Sequence, residues 1–199
     1  MPITFNGNGT ITGIAAGGLP DGCVQLADLA TTGTASSSTF LRGDAAFAEA
    51  GGGKLLQVVT ADTVTQVSNT GYPLVSIGLA ASITPSATTS KIFISASANI
   101  YIIGDGYNTI GREIYVVLKR GDASGTTIQQ TIVGDQILTG SDWPKINRVV
   151  PLTCLDSPNT TSSTTYTVAF GKYSNNATMY AQRDNNNFKS TITLMEIAA

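Results

Sequence analysis

At 199 residues, with 42% hydrophobic and only 12% charged side chains, the chain is long enough to bury a sizeable core and too apolar to be disordered. Its net charge of −2, with eleven Lys and Arg scattered and no basic run, excludes an electrostatic footprint for nucleic acid or anionic lipid. Histidine is absent, which excludes Ser-His-Asp and Cys-His catalysis and His-ligated zinc, and no apolar run approaches the ~18 residues of a membrane span.

The first fifty-odd residues carry isolated apolar side chains (Ile3, Phe5, Ile11, Ile14, Leu19, Phe40, Phe47) that follow neither the helical nor the strand period. Gly7-Asn8-Gly9, the glycine-rich 17–22 and the Ser/Thr-rich 31–39 separate them. Residues 22–30 and 45–50 read as short helices, too short to stand alone in water. Such a segment closes no core of its own. It reads as an extended N-terminal arm or shaft over 1–53, able to reach ~165 Å if drawn out. The start, Met1-Pro2-Ile3-Thr4-Phe5, has neither the charged nor the apolar region of a secretion signal, so the expected place of folding is a reducing cytosol. Cys23 and Cys154 are accordingly expected as free thiols.

After Gly51-Gly52-Gly53 the pattern becomes regular. Strands are predicted at 54–61, 74–83, 91–103, 113–120, 126–133, 149–156, 164–173, 179–183 and 190–197, with turn signals between them. The strand 91–103 alternates most clearly, with Ile92, Ile94, Ala96, Ala98, Ile100 and Ile102 on one face and Phe93, Ser95, Ser97, Asn99 and Tyr101 on the other. So many strands with no long helix predict an all-β fold, an antiparallel β-sandwich or jelly roll over 54–199 behind the arm.

No chemistry-bearing constellation emerges. Two cysteines without histidine make no zinc site, and neither glycine pair belongs to a nucleotide-binding fingerprint. A carboxylate pair is the remaining catalytic option, but Glu113 and Glu196 fall at strand ends and are expected in water, and the aspartates fall mostly in turns. The chain is therefore expected to be no enzyme, with no catalytic residues, cofactor or metal. Arg42-Gly43-Asp44 reads as a tight turn. Trp143, with Tyr107 and Asn108, lies in the two longest loop regions of the sandwich; an aromatic face beside polar side chains suits a glycan surface.

Several runs resemble known proteins. Ile3-Thr4-Phe5-Asn6-Gly7, Ile14-Ala15-Ala16-Gly17-Gly18-Leu19-Pro20-Asp21-Gly22 and Thr34-Ala35-Ser36-Ser37-Ser38-Thr39-Phe40-Leu41-Arg42-Gly43-Asp44 resemble the linkers of bacteriophage tail-fibre and virion proteins. Gly78-Leu79-Ala80-Ala81-Ser82-Ile83-Thr84-Pro85-Ser86, Leu155-Asp156-Ser157-Pro158 and Thr191-Ile192-Thr193-Leu194-Met195-Glu196-Ile197 resemble pieces of phage virion modules. Val116-Val117-Leu118-Lys119-Arg120-Gly121 with Thr126-Thr127-Ile128 resembles the trimeric jelly rolls of the C1q and tumour-necrosis-factor type.

The resemblance implies a structural virion protein, assembled in the bacterial host cytoplasm. It would be a homotrimeric fibre or knob, held to other virion proteins through 1–53, with a host-surface glycan as candidate receptor and no nucleic acid or membrane partner. The alternative is a capsid decoration protein without a receptor role. Apolar residues left over after filling one core face nominate the trimer interface: Tyr101, Ile103, Tyr115, Val117, Phe170 and Tyr173.

Overall fold

The structure, a computed structural model, describes residues 4–5, 11–12, 31–49, 54–104, 112–135, 145–173, 177–183 and 188–198. The chain divides into two compact units, Met1–Gly52 and Gly53–Ala199.

In the first unit β1 (Thr4–Phe5) pairs with β2 (Ile11–Thr12), and β3 (Thr39–Leu41) with β4 (Phe47–Glu49), both antiparallel. Phe47–Glu49 is thus strand, not part of the helix predicted over 45–50. Arg42-Gly43-Asp44 reverses the chain, with Ala46 N donating to Asp44 Oδ1 at 3.2 Å and Ala45 taking a positive φ of 60°. Phe47 N then bonds Thr32 O at 2.7 Å, which commits this run to a ladder instead of a helical turn. Residues 32–49 thus fold back on themselves. The predicted helix at 22–30 lies outside the described residues.

The second unit holds ten strands: β5 (Leu55–Thr63), β6 (Val67–Asn69), β7 (Val75–Ile83), β8 (Lys91–Gly104), β9 (Arg112–Arg120), β10 (Thr126–Asp135), β11 (Lys145–Asp156), β12 (Thr164–Lys172), β13 (Ala177–Ala181) and β14 (Ser190–Ile197). They form an antiparallel jelly-roll sandwich. One sheet runs β10-β9-β12-β7. The other is centred on β8, which pairs along its length with β11 on one side. On its other side β8 pairs first with β14, which continues to β5, and then with β13, which continues to β6. The chain crosses from one sheet to the other at β6–β7, β7–β8, β8–β9, β10–β11, β11–β12 and β12–β13, while β9 and β10 form a hairpin within one sheet.

The alternation of β8 dictates its burial. Ile92, Ile94, Ala98, Ile100 and Ile102 are at most 1% exposed and meet Ile77, Leu79, Val116, Leu118, Tyr166, Val168 and Phe170 of the opposite sheet. Two glycines shape the β10-β9-β12-β7 sheet. Gly78, at φ +78°, sits beside a register shift in the β7–β12 pair, as a bulge requires. Gly125 closes the β9–β10 turn so tightly that a Cβ there would lie 2.1 Å from Arg120 O. Where β8 exchanges β14 for β13, the fully buried Gln182 fills the gap. Its amide, oriented to satisfy both ends, donates to Thr65 O and Ile77 O at 3.0 Å and accepts from Ser190 Oγ.

Candidate functional site

The outer face of the β8 sheet is unusual for a surface. Leu155, Phe93, Met195 and Val58 stand directly opposite one another on β11, β8, β14 and β5. With neighbouring strands about 4.8 Å apart, they make one apolar row roughly 14 Å long. Leu155 is 56% and Val58 49% exposed, with Phe93 and Met195 half-buried beside them. Leu55 and Leu56 are also exposed at the end of β5. The adjoining row is Thr153, Ser95, Thr193 and Thr60, all hydroxyls. Among the described residues charge enters at the margins, through Lys91, which donates to Ser157 Oγ, Asp62, which pairs with Lys189, and Arg183, whose guanidinium lies over the Tyr101 ring. A solvated sheet face normally alternates to polar and charged side chains. Here it is apolar or neutral across four strands.

The six residues nominated for an interface from sequence do not share one face. Phe170 points into the core and is fully buried, so it is corrected to a core residue. Val117 is also fully buried, although it lies on the outer side of its sheet opposite Ala169. The segment 72–74 crosses that side, and a Cβ on Gly171 would meet Tyr72 O and Leu74 Cδ2 at 3.0 and 3.1 Å. Val117 is therefore unavailable to a partner. Tyr101 is 5% exposed, covered by the Arg183 guanidinium 4.0 Å above its ring and by Tyr180, and is corrected likewise. Ile103 and Tyr115 are half-buried on different sheets, and Tyr173 is exposed, its ring edge-on to Tyr115 at 4.9 Å.

Tyr107, Asn108 and Trp143 lie outside the described residues. The roots of their loops are adjacent, since Ile103 pairs with Lys145 and Arg112 with Asp135.

Among the described residues no cluster of Cys, Asp and Glu could hold a metal. Cys154 is a free, half-buried thiol, its pKa pushed up by burial and by the Asp156 carboxylate, which keeps it protonated and unreactive. Glu196, expected in water, is fully buried. Burial by itself would raise its pKa, but hydrogen bonds from Ser86 N and Oγ at 2.7 Å and from Gln57 Nε2 at 2.6 Å outweigh this and hold it down at about 2. That carboxylate pins the loop after β7 to the last strand.

On the outer side of the other sheet lies a depression of about 630 Å³, bordered by residues 73–76 and by the β9–β10 turn. Lys119, only 8% exposed, lines it and donates to Thr127 Oγ1 at 2.8 Å and Gly125 O at 3.2 Å. On the turn, Asp122 Oδ1 accepts from Ser124 N and Oγ at 2.8 and 2.6 Å, bonds that keep this carboxylate's pKa lowered. Sequence pattern missed this site because Lys119 occupies an ordinary strand position.

No protein-family profile matches the chain, and no curated protein sequence does. Solved structures with some likeness come from infectious bursal disease virus. The virus's Gt strain gives a TM-score of 0.34 at 14% identity over 77% of this chain and 40% of that one. Its VP2 subviral particle gives 0.32 at 12% identity over 76% and 42%. Derived T=1 particles give 0.31 at 12% identity over 76% and 40%. The chain thus spans about two fifths of the length of these proteins, and a likeness at such scores carries no argument about what it does.

Proposed function

We propose that this chain is a structural protein of a bacteriophage particle, a homotrimeric fibre or knob attached through residues 1–53 and presenting its jelly roll to the host surface. The observation that carries the reading is the neutral outer face of the β8 sheet with its row of Leu155, Phe93, Met195 and Val58. Full cover of a large apolar side chain stabilises by about 1.5–3 kcal/mol, so the half-exposed row contributes about 3–6 kcal/mol per copy. Association costs at least about 4 kcal/mol, so the surrounding Thr and Ser rows must also pack. A face whose centre carries no charge meets an identical face with little repulsion, which favours sister copies over a partner of definite charge. The number three, the phage setting and the attachment role of 1–53 come from the resemblance of the quoted runs to virion linkers and trimeric jelly rolls.

Gold-labelled antibody against the chain, applied to purified particles of the phage that encodes it, tests the placement. Label on the particle is expected, and its position on tail or capsid separates a fibre from a decoration protein. Particles without label overturn the reading.

A further inference from the structure

We propose that the depression beside Lys119 binds a neutral pyranose sugar. The idea rests on the receptor-binding part of the reading above and places the contact on the outer side of the β9 sheet. Three groups that line it have bonding capacity unused. The Lys119 ammonium forms no ion pair among the described residues, and its two hydrogen bonds leave one N–H for a ligand. Asp122 commits only Oδ1, so Oδ2 can accept. Ser76 Oγ accepts from Gly78 N at 3.1 Å and keeps its proton to donate.

A sugar hydroxyl both donates and accepts, so neighbouring hydroxyls satisfy an ammonium and a carboxylate together. A simple anion would meet Lys119 but be repelled by Asp122. Pro73, Leu74 and Ala123 supply apolar surface for the ring's C–H face. The volume lies in the range of about 300–1,000 Å³ typical of small-molecule sites. A free amino acid carries the same two charges as the site, and the test separates it from a sugar.

Saturation-transfer NMR of the full chain with glucose, galactose, N-acetylglucosamine and rhamnose, and with glycine and phosphate as controls, decides the matter. At least one sugar should receive saturation. Lys119→Met and Asp122→Asn should each weaken that binding by about tenfold or more, as loss of one charge-assisted hydrogen bond requires. Asp122 is solvent-exposed, so its variant remains informative if burial makes the lysine variant misfold. Transfer to no sugar, transfer to glycine or phosphate instead, or unchanged binding in Asp122→Asn overturns the site. Correct placement of label on the particle alongside such a result would leave the structural role standing and remove this site alone.

Discussion

The Tyr166 hydroxyl donates a 2.6 Å hydrogen bond to Asp156 Oδ2 inside the sandwich, while Arg120 Nη2 holds Oδ1 of the same carboxylate at 3.0 Å. Tyr166 is fully buried, and its pKa is raised by burial first and by the Asp156 bond second, so it remains a donor at every pH of interest. Tyr166→Phe preserves the packing and strips Asp156 of one partner. It should lower unfolding stability by about 1–3 kcal/mol with little change in the native fold. Urea denaturation of the two proteins measures this, and equal midpoints would contradict it.

Glu196 makes stability depend on acid. Its folded pKa of about 2 lies below the ordinary 4.5, so the unfolded chain takes up the proton first as pH falls. The contribution is complete above about pH 4.5 and is lost progressively on the way to about pH 2. Glu196→Gln should cost about 1–3 kcal/mol at neutral pH, because an amide presents donors to Ser86 and Gln57. The variant should also flatten the decline between pH 4.5 and 2, read from thermal unfolding across that range.

Gly125 tests the turn that borders the depression. With Arg120 O 2.1 Å from any added Cβ, Gly125→Ala forces the β9–β10 turn open. A loss of about 1–3 kcal/mol is expected. Hydrogen exchange should quicken at Ser124 and Thr126. Protection equal to that of the parent protein would show that the turn yields without strain.

The strands of the second unit were legible wherever one face was apolar and the other polar. In β8 the Ile92-to-Ile102 alternation states both the strand and its buried side. β12 defeats the same logic, since Val168, Ala169, Phe170 and Gly171 are apolar or small on both sides. Which side faced the core depended on 72–74 crossing over Gly171, a contact between distant segments. β3, β4 and β6 were missed because three residues show no period. The apolar row was invisible for another reason. Val58, Phe93, Leu155 and Met195 come from four separate strands, and only their register aligns them. The burial of Glu196 likewise depends on Ser86, 110 residues away.

The central claim, that sister copies cover the outer face of the β8 sheet, is tested most directly by sedimentation equilibrium of the full chain at micromolar concentration. The account predicts a mass of about 62 kDa, three times the 20.6 kDa chain. It also predicts a fall to the single-chain mass, with unchanged β-sheet circular dichroism, when the exposed Val58 and Leu155 are both replaced by aspartate. A parent protein that sediments as a single chain, or a double variant that keeps the assembled mass, would contradict it.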